Sequence, residues 1–499
     1  NINLGDFSAG TTASDLFWDV IFGGSLNTVR IDHQAVANTL RTTNVDLWAT
    51  NEIYTSSDFD VSTARYISGP WWNPSINEEI TSNDLSLSAK VIDIDHAITL
   101  GNGSLIIDDT TAGESIVGLG LLPAPVDINV ETVELNAEIL TRSSLGGATT
   151  LAGSNQLDGY AETVNVESNA AKINQGLQLV QAGGDLNIGA GTFVENVLID
   201  KAINIRGAGR NNTIIDASGA ATGFEVVGDI GNQNIALRRM TVRDAQQFGA
   251  RVTGGDNVRR FVVRGMSFEN NGYNGVAVFD DGARQTRIIN TNFLNNGIAD
   301  GSGGDGDILF FEHNGDVLLR NIDIQGNTAG AANYGIQFRG DLPLADSGTI
   351  VMDNVSVAGQ YHVALLGLQR YDNTDLTMTD VSLGGQTDAA NDSLSTAGWG
   401  GSMFINNIGS DLNLGNTAFS EHNQAYIIMG KDGGSSTTAD IDATNATFLG
   451  KLGTDMSLAE NYAVEDKVFH VMDEDGFGLV TWHAGNLYAT QLSELINAG

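Results

Sequence analysis

The 499 residues contain no cysteine, which removes disulfides, thiolate metal sites and a cysteine nucleophile together, and which fits large secreted bacterial proteins. Proline is nearly absent too. Of the five, Pro70, Pro74, Pro123 and Pro125 fall in the first quarter and Pro343 stands in an insertion, as expected where ladder N–H groups must all be paired. Basic residues are scarce, 24 Lys and Arg against 61 Asp and Glu, for a formal charge of −37. That balance repels nucleic acid and anionic membranes and suits an exterior bathed in a salty or calcium-containing medium. No run approaches the roughly 18 apolar residues of a spanning helix, so no transmembrane segment is expected. There is no G-x-S-x-G, no H-E-x-x-H and no P-loop, and GAGRNN has Asn212 where a dinucleotide fingerprint needs its last glycine. The chain opens on Asn1 without a charged stretch and apolar h-region, and reads as a processed chain or a piece of something larger, extracellular or at the cell surface.

What is abundant is a short apolar signature. It begins at Met240, Met266, Thr291, Ile322, Val355, Val381, Thr417 and Ala446, in steps of 25 to 36 residues. Each is followed by a small polar turn and a second alternating run such as GARV, GVAV, DILFF or YGIQF. Short strands of β-branched and aromatic residues separated by Gly, Asn and Asp cannot bury their own apolar faces, so the turns must stack. The fold class expected is all-β, a right-handed parallel β-helix in which each strand bonds to its equivalent one coil away. Phe268, Phe293, Ile324, Val357, Leu383, Phe419 and Phe448 should form one inward ladder.

Four regions follow. Residues 1–125 hold Trp18, Trp48, Trp71 and Trp72 and tracts such as VDLWATNEIYTSSDFDVS and LSLSAKVIDIDHAITL, whose texture resembles the filamentous-haemagglutinin-like β-helices of large bacterial surface proteins. The Trp71–Trp72 pair, between two prolines, reads as a docking patch or as a loop folded over the solenoid end. Residues 126–184 carry further coils and a short α-helix near 169–182, with Ser168 or Asn169 as cap and Gly183 as stop. Residues 185–455 are the main solenoid. Its opening run, with Gly191, Thr192, Phe193, Glu195, Ile199, Lys201, Ile205, Gly207, Gly209, Thr213, Ile214, Ile215 and Asp216, resembles the first coil of the pectate-lyase-like and pectin-esterase-like β-helix superfamily. That resemblance implies the fold; lyases, esterases, epimerases and adhesins all share it. Residues 456–499 lose the coil spacing and read as a C-terminal cap or connector.

Counting outward positions in the second run of each coil gives Phe279, Leu309, Phe311, Leu366 and Phe404 as an apolar outer strip, which needs a cover or a partner. The expected partners are other copies of the chain, adjoining modules or surface glycans. Past those strands stands a column of turn carboxylates, Asp229, Asp256, Asp281, Asp316, Asp341, Asp372, Asp411 and Asp432. Such a column is ordinary turn chemistry, and calcium would relieve its repulsion. SGGDGDILF is near a calcium nonapeptide but has Ile308 where Asp is required, leaving Asp281, Asp305 and Asp307 as the metal candidates; DEDGFG lacks the closing Glu of an EF-hand, with Ala484 in its place. If the chain is an enzyme, Asp280, Asp281, Glu312, His313 and Arg339 are the catalytic candidates. His313 is followed by Asn314 and no R-x-K occurs, unlike the polygalacturonase pattern. The expected function is a structural or adhesive module for assembly or attachment, with a carbohydrate-active β-helix enzyme and a calcium-dependent glycan-binding module as alternatives.

Overall fold

A computed structural model describes residues 157–254, 257–280, 282–298, 306–326, 334–340, 348–359, 361, 364–369, 374–386, 401–406 and 408–422, with shorter stretches before and after them from 2–5 to 486–488. The chain is an all-β parallel β-helix whose residues divide into two compact units, 1–193 with 203–213, and 194–202 with 214–499.

In the first unit, successive strands Leu85–Asp93, Ser104–Asp108, Thr132–Leu135, Ala161–Val166, Val180–Ile188 and Ile203–Gly207 lie parallel and in register. Their alternation of apolar and polar residues is what fixes that register. Leu85, Leu105, Val133, Val164, Leu186 and Ile205 stack as one buried ladder, and a one-residue slip would expose all of them. On the outer side Asn187 donates to Asn165 at 2.8 Å and Asn165 to Glu134 at 2.6 Å. Burial, with a hydrogen bond to Glu167, pushes the Glu134 carboxyl up to about 6. The hairpin Thr63–Ser68 with Ser75–Ile80 is antiparallel, and Trp71 and Trp72 between its strands lie outside the described residues.

Two helices occur among the described residues. The first, α1 (His33–Leu40), packs with Val36, Ala37 and Leu40 buried and was not expected from the sequence. The second, α2 (Ile173–Leu179), is shorter than the expected helix near 169–182. Ser168 caps a turn ahead of it, through its Oγ to the Ala170 N–H at 3.3 Å, and Lys172 has the N-cap position. Gly183 does not end the helix. It sits at φ +85° inside Val180–Ile188, beside a register shift in the pairing with Ala161–Val166.

The described coils of the second unit have three strand segments each, hence three walls. The first is Asn234–Arg238, Arg260–Arg264 and the leading halves of Gln285–Leu294, Asp316–Gln325 and Ile350–Ala358. The second holds Thr241–Arg243, Ser267–Glu269 and the trailing halves of those long strands. The third is a ten-stranded parallel sheet that includes Phe248–Val252, Asn274–Phe279, Gly306–Phe311, Tyr334–Arg339, Ala364–Gln369 and Gly401–Asn406.

Between the walls the chain turns by single residues at positive φ, where Asn, Asp and Gly are least strained. Gly265, Asn290, Asn321, Asn354 and Asp380 make the first corner, and Asp244, Asn270 and Asn295 the second. Asn354 donates to Asn321 at 2.9 Å and Asn321 to Asn290 at 2.7 Å, so the first corner is itself a side-chain ladder.

The inward ladder expected on the second wall is present and buried from Phe268 to Phe419, and Phe448 follows it in backbone register. Phe268, Phe293, Ile324, Val357, Leu383, Phe419 and Phe448 are paired coil to coil. Phe268 and Phe293 stack at 5.3 Å. At the far end the parallel order breaks, with Asn486–Tyr488 running antiparallel against Thr438–Asp442 and taking up that coil's free ladder edge.

Candidate functional site

Four third-wall strands, Asn274–Phe279, Gly306–Phe311, Tyr334–Arg339 and Ala364–Gln369, carry five consecutive buried residues before a half-buried sixth, so both faces of the sheet are covered there. The inner face holds Val276, Ile308, Ile336, Leu366 and Met403 in register, and one step on Val278, Phe310, Phe338, Leu368 and Ile405. Leu366 is therefore not on the outer strip. It belongs to the inner ladder, and the outward residue at that level is Gly367, in line with Leu309, Gln337 and Phe404. Phe404 does share the outward register, yet it is only 1% exposed.

The structure brings Phe279, Leu309 and Phe311 together as expected, and adds Phe248, Tyr273 and Ala277 to them in a satellite apolar cluster. Phe248 meets Tyr273 and Phe279 edge-on, at 5.7 and 5.6 Å. Phe279 and Phe311 lie 6.0 Å apart on adjacent coils. Arginines close this pair at both ends: Arg251 lies 5.6 Å from the Phe248 and Phe279 ring centres, and Arg339 5.5 Å from Phe311. Each such contact is worth about 0.5–1 kcal/mol at a partly exposed site. Glu225 holds Arg251 in place at 3.3 Å. Beside the ridge, Gln369 donates to the Tyr334 hydroxyl at 2.6 Å, and Gln337 to Gln369 at 2.7 Å. Burial pushes the Tyr334 phenol up, against the opposing charge of Arg339.

The catalytic candidates separate. Asp280 and Glu312 occupy equivalent corners one coil apart, their N–H groups bonding Phe311 O at 2.9 Å and Arg339 O at 2.7 Å. Asp280 is exposed and Glu312 half-buried. His313 faces the other way, fully buried with its ring 5.5 Å from Phe310. Asp281 lies outside the described residues. Glu312 sits at φ +49°, a conformation costing a non-glycine residue about 1–2 kcal/mol. Glu312→Gly is therefore expected to stabilise the chain by roughly 0.5–1 kcal/mol in urea denaturation. A loss of stability instead would show that contacts of the carboxylate hold it there.

Of the metal candidates Asp305 and Asp281 are outside the described residues, and Asp307 is inside the core. Its carboxylate accepts from Asn296 Nδ2 at 2.8 Å and from the Tyr361 hydroxyl at 2.6 Å. Burial pushes Asp307 up to about 6 against those two bonds, and pushes the Tyr361 phenol up as well. The carboxylate ends an amide ladder at the second corner, where Asn271 donates to Asn296 at 2.8 Å and accepts from the Ala245 N–H at 3.1 Å. This ladder was missed in the sequence, although the repeated NNG at Asn270–Gly272 and Asn295–Gly297 marks it.

The carboxylate column is not one column. Asp316 opens its first-wall strand, and Asp411 takes the equivalent register inside Ile408–Asn413. Asp229, in contrast, stands in a loop, bonded to Asn257 at 3.1 Å and the Gly231 N–H at 2.7 Å. Among the described residues no group of three or more His, Asp or Glu is placed to hold a metal ion. Nor is any helix among them long and apolar enough to cross a membrane. No family model matches the chain, and neither a curated protein nor a solved structure matches it.

Proposed function

We propose that the chain is a structural and adhesive β-helix module of an extracellular or cell-surface bacterial protein, working in attachment or assembly through the third-wall ridge. The observation that supports this most is the Arg251, Phe279, Phe311, Arg339 stack on a buried apolar base. Aromatic rings and arginines are the residues that contact surfaces favour at their centres. The buried acid and base of this region, Asp307 and His313, are enclosed in the coil interior, away from any substrate at the ridge.

Polysaccharide turnover is the second reading, favoured by the strained backbone of Glu312 beside Asp280, since such strain gathers at working sites. Calcium would serve either reading as a counterion to turn carboxylates. The test is surface plasmon resonance on a panel of immobilised polysaccharides and on the immobilised protein itself, with calcium and with chelator. Binding to one of these surfaces is expected to weaken at least about tenfold in Phe311→Ala. Binding unchanged in that variant would sink the ridge as the contact face. Reducing ends or unsaturated sugars that appear in solution and vanish in Glu312→Gln would establish turnover instead.

A further inference from the structure

The scarce positive charge of this chain is not spread evenly. Nine arginines fall between Arg238 and Arg287, with five Asp and Glu in the same span. The inward residues of the first wall are Ile235, Leu237, Phe261, Val263, Ile288 and Leu319, all buried, so the residues alternating with them face out. Two outward columns result. One reads Arg238, Arg264, Ile289, Arg320, Asp353 and the other Ala236, Val262, Arg287, Leu318, Val351.

Arg238 and Arg264 are direct cross-strand neighbours, about 4.8 Å apart in backbone terms, and like charges so placed destabilise a sheet. Neutral acceptors meet two of the surrounding guanidinia: Arg259 bonds Asn234 and Arg260 bonds Gln285, each at 3.1 Å. The ion pair on this wall is Arg320 with Asp353 at 2.7 Å. Arg264 and Arg287 make no ion pair with any described residue. A fold gains nothing from this arrangement, and an interface does.

We infer that the arginine face of the first wall docks on the carboxylate-rich surface of a second copy of this chain. Charge complementarity selects that occupant, because the chain carries −37 overall and this wall is where its positive charge gathers. The half-buried aliphatic residues Val262, Ile289 and Leu318 between the guanidinia suit a protein partner, which can bury them. The contact joins two different surfaces, so it is heterologous and adds copies one after another, in a ring or an open array, rather than closing an isologous dimer. The inference rests on the assembly reading above and gives it a second surface.

Ionic strength governs the outcome. Near 0.01 M salt the Debye length is about 30 Å and the net repulsion of two acidic copies acts in full. At about 0.15 M it is roughly 8 Å, so the local contact outweighs the distant charges, and at about 1 M, near 3 Å, the local contact is screened as well. Sedimentation velocity on the full chain at these three salt levels is expected to show association at the middle one alone. The double variant R264E/R287E should remain monomeric throughout, with an unchanged thermal midpoint; if charge reversal unfolds the chain, R264Q/R287Q is measured in its place. A monomer at every salt level overturns the inference, and a monomer that binds a heparin fragment through these arginines overturns it in favour of a soluble polyanion. Association that survives both variants refutes the arginine face while leaving the assembly reading standing. Absence of association together with absence of attachment to any surface in the plasmon-resonance panel refutes both.

Discussion

Phe293→Ala is expected to destabilise the second unit by about 3–5 kcal/mol, the range for deleting a ring from a tightly packed core. Phe293 is 1% exposed, stacks on Phe268, and is packed so closely from the third wall that a Cβ on Gly275 would sit 2.6 Å from its ring. Leu294→Ala, one residue along, is the control: Leu294 is 37% exposed and points outward, so its truncation should cost under about 0.5 kcal/mol. Urea denaturation followed by far-ultraviolet circular dichroism measures both. Equal losses would mean that the alternation of inside and outside along this strand is wrong.

The second large effect is a pH dependence. Asp307 is fully buried, with no cation against it among the described residues, and its pKa is pushed from 3.8 to about 6. An acid whose folded pKa is raised binds more protons in the native than in the unfolded chain between those two values. Its protonated form therefore favours folding fully below pH ~4, and that stability is lost as pH rises through about 6. The difference amounts to about 3 kcal/mol, at 1.36 kcal/mol for each pKa unit. Asp307→Asn keeps the shape and one acceptor and lets the Tyr361 hydroxyl turn from donor to acceptor. The gap in stability between wild type and Asp307→Asn should shift by most of that amount, about 2.4 kcal/mol, in favour of the variant from pH 4 to pH 7. A gap that stays flat would mean the carboxylate is stabilised as an anion by groups other than Asn296 and Tyr361.

The second-wall ladder was legible in the sequence because Phe268, Phe293 and their equivalents alternate with polar neighbours, and a period of two leaves one choice of face. The third wall obeys no such rule. Ala364–Gln369 has five buried residues in a row, so neither polarity nor size says which way Leu366 points, and its register with Ile336 is fixed only by the pairing of the coils. The ridge was half legible. Phe279, Leu309 and Phe311 could be read from spacing, but Phe248, Tyr273 and Arg251 join them only once the coils are stacked. Asp307 misled for a related reason: an aspartate in a glycine-rich run looks like a turn ligand. Its true partners are 11 and 54 residues away, and only their NNG repeat and a lone tyrosine announce them.

Parallel pairing between coils also decides how the second unit yields under load. Its backbone hydrogen bonds link each turn to the next, so tension applied through the two chain ends peels one turn at a time, breaking its bonds in sequence rather than all at once. With 25 to 36 residues in a turn, each release pays out on the order of 100 Å of slack chain. Extension in steps, with work spent at each release, follows from that order of pairing.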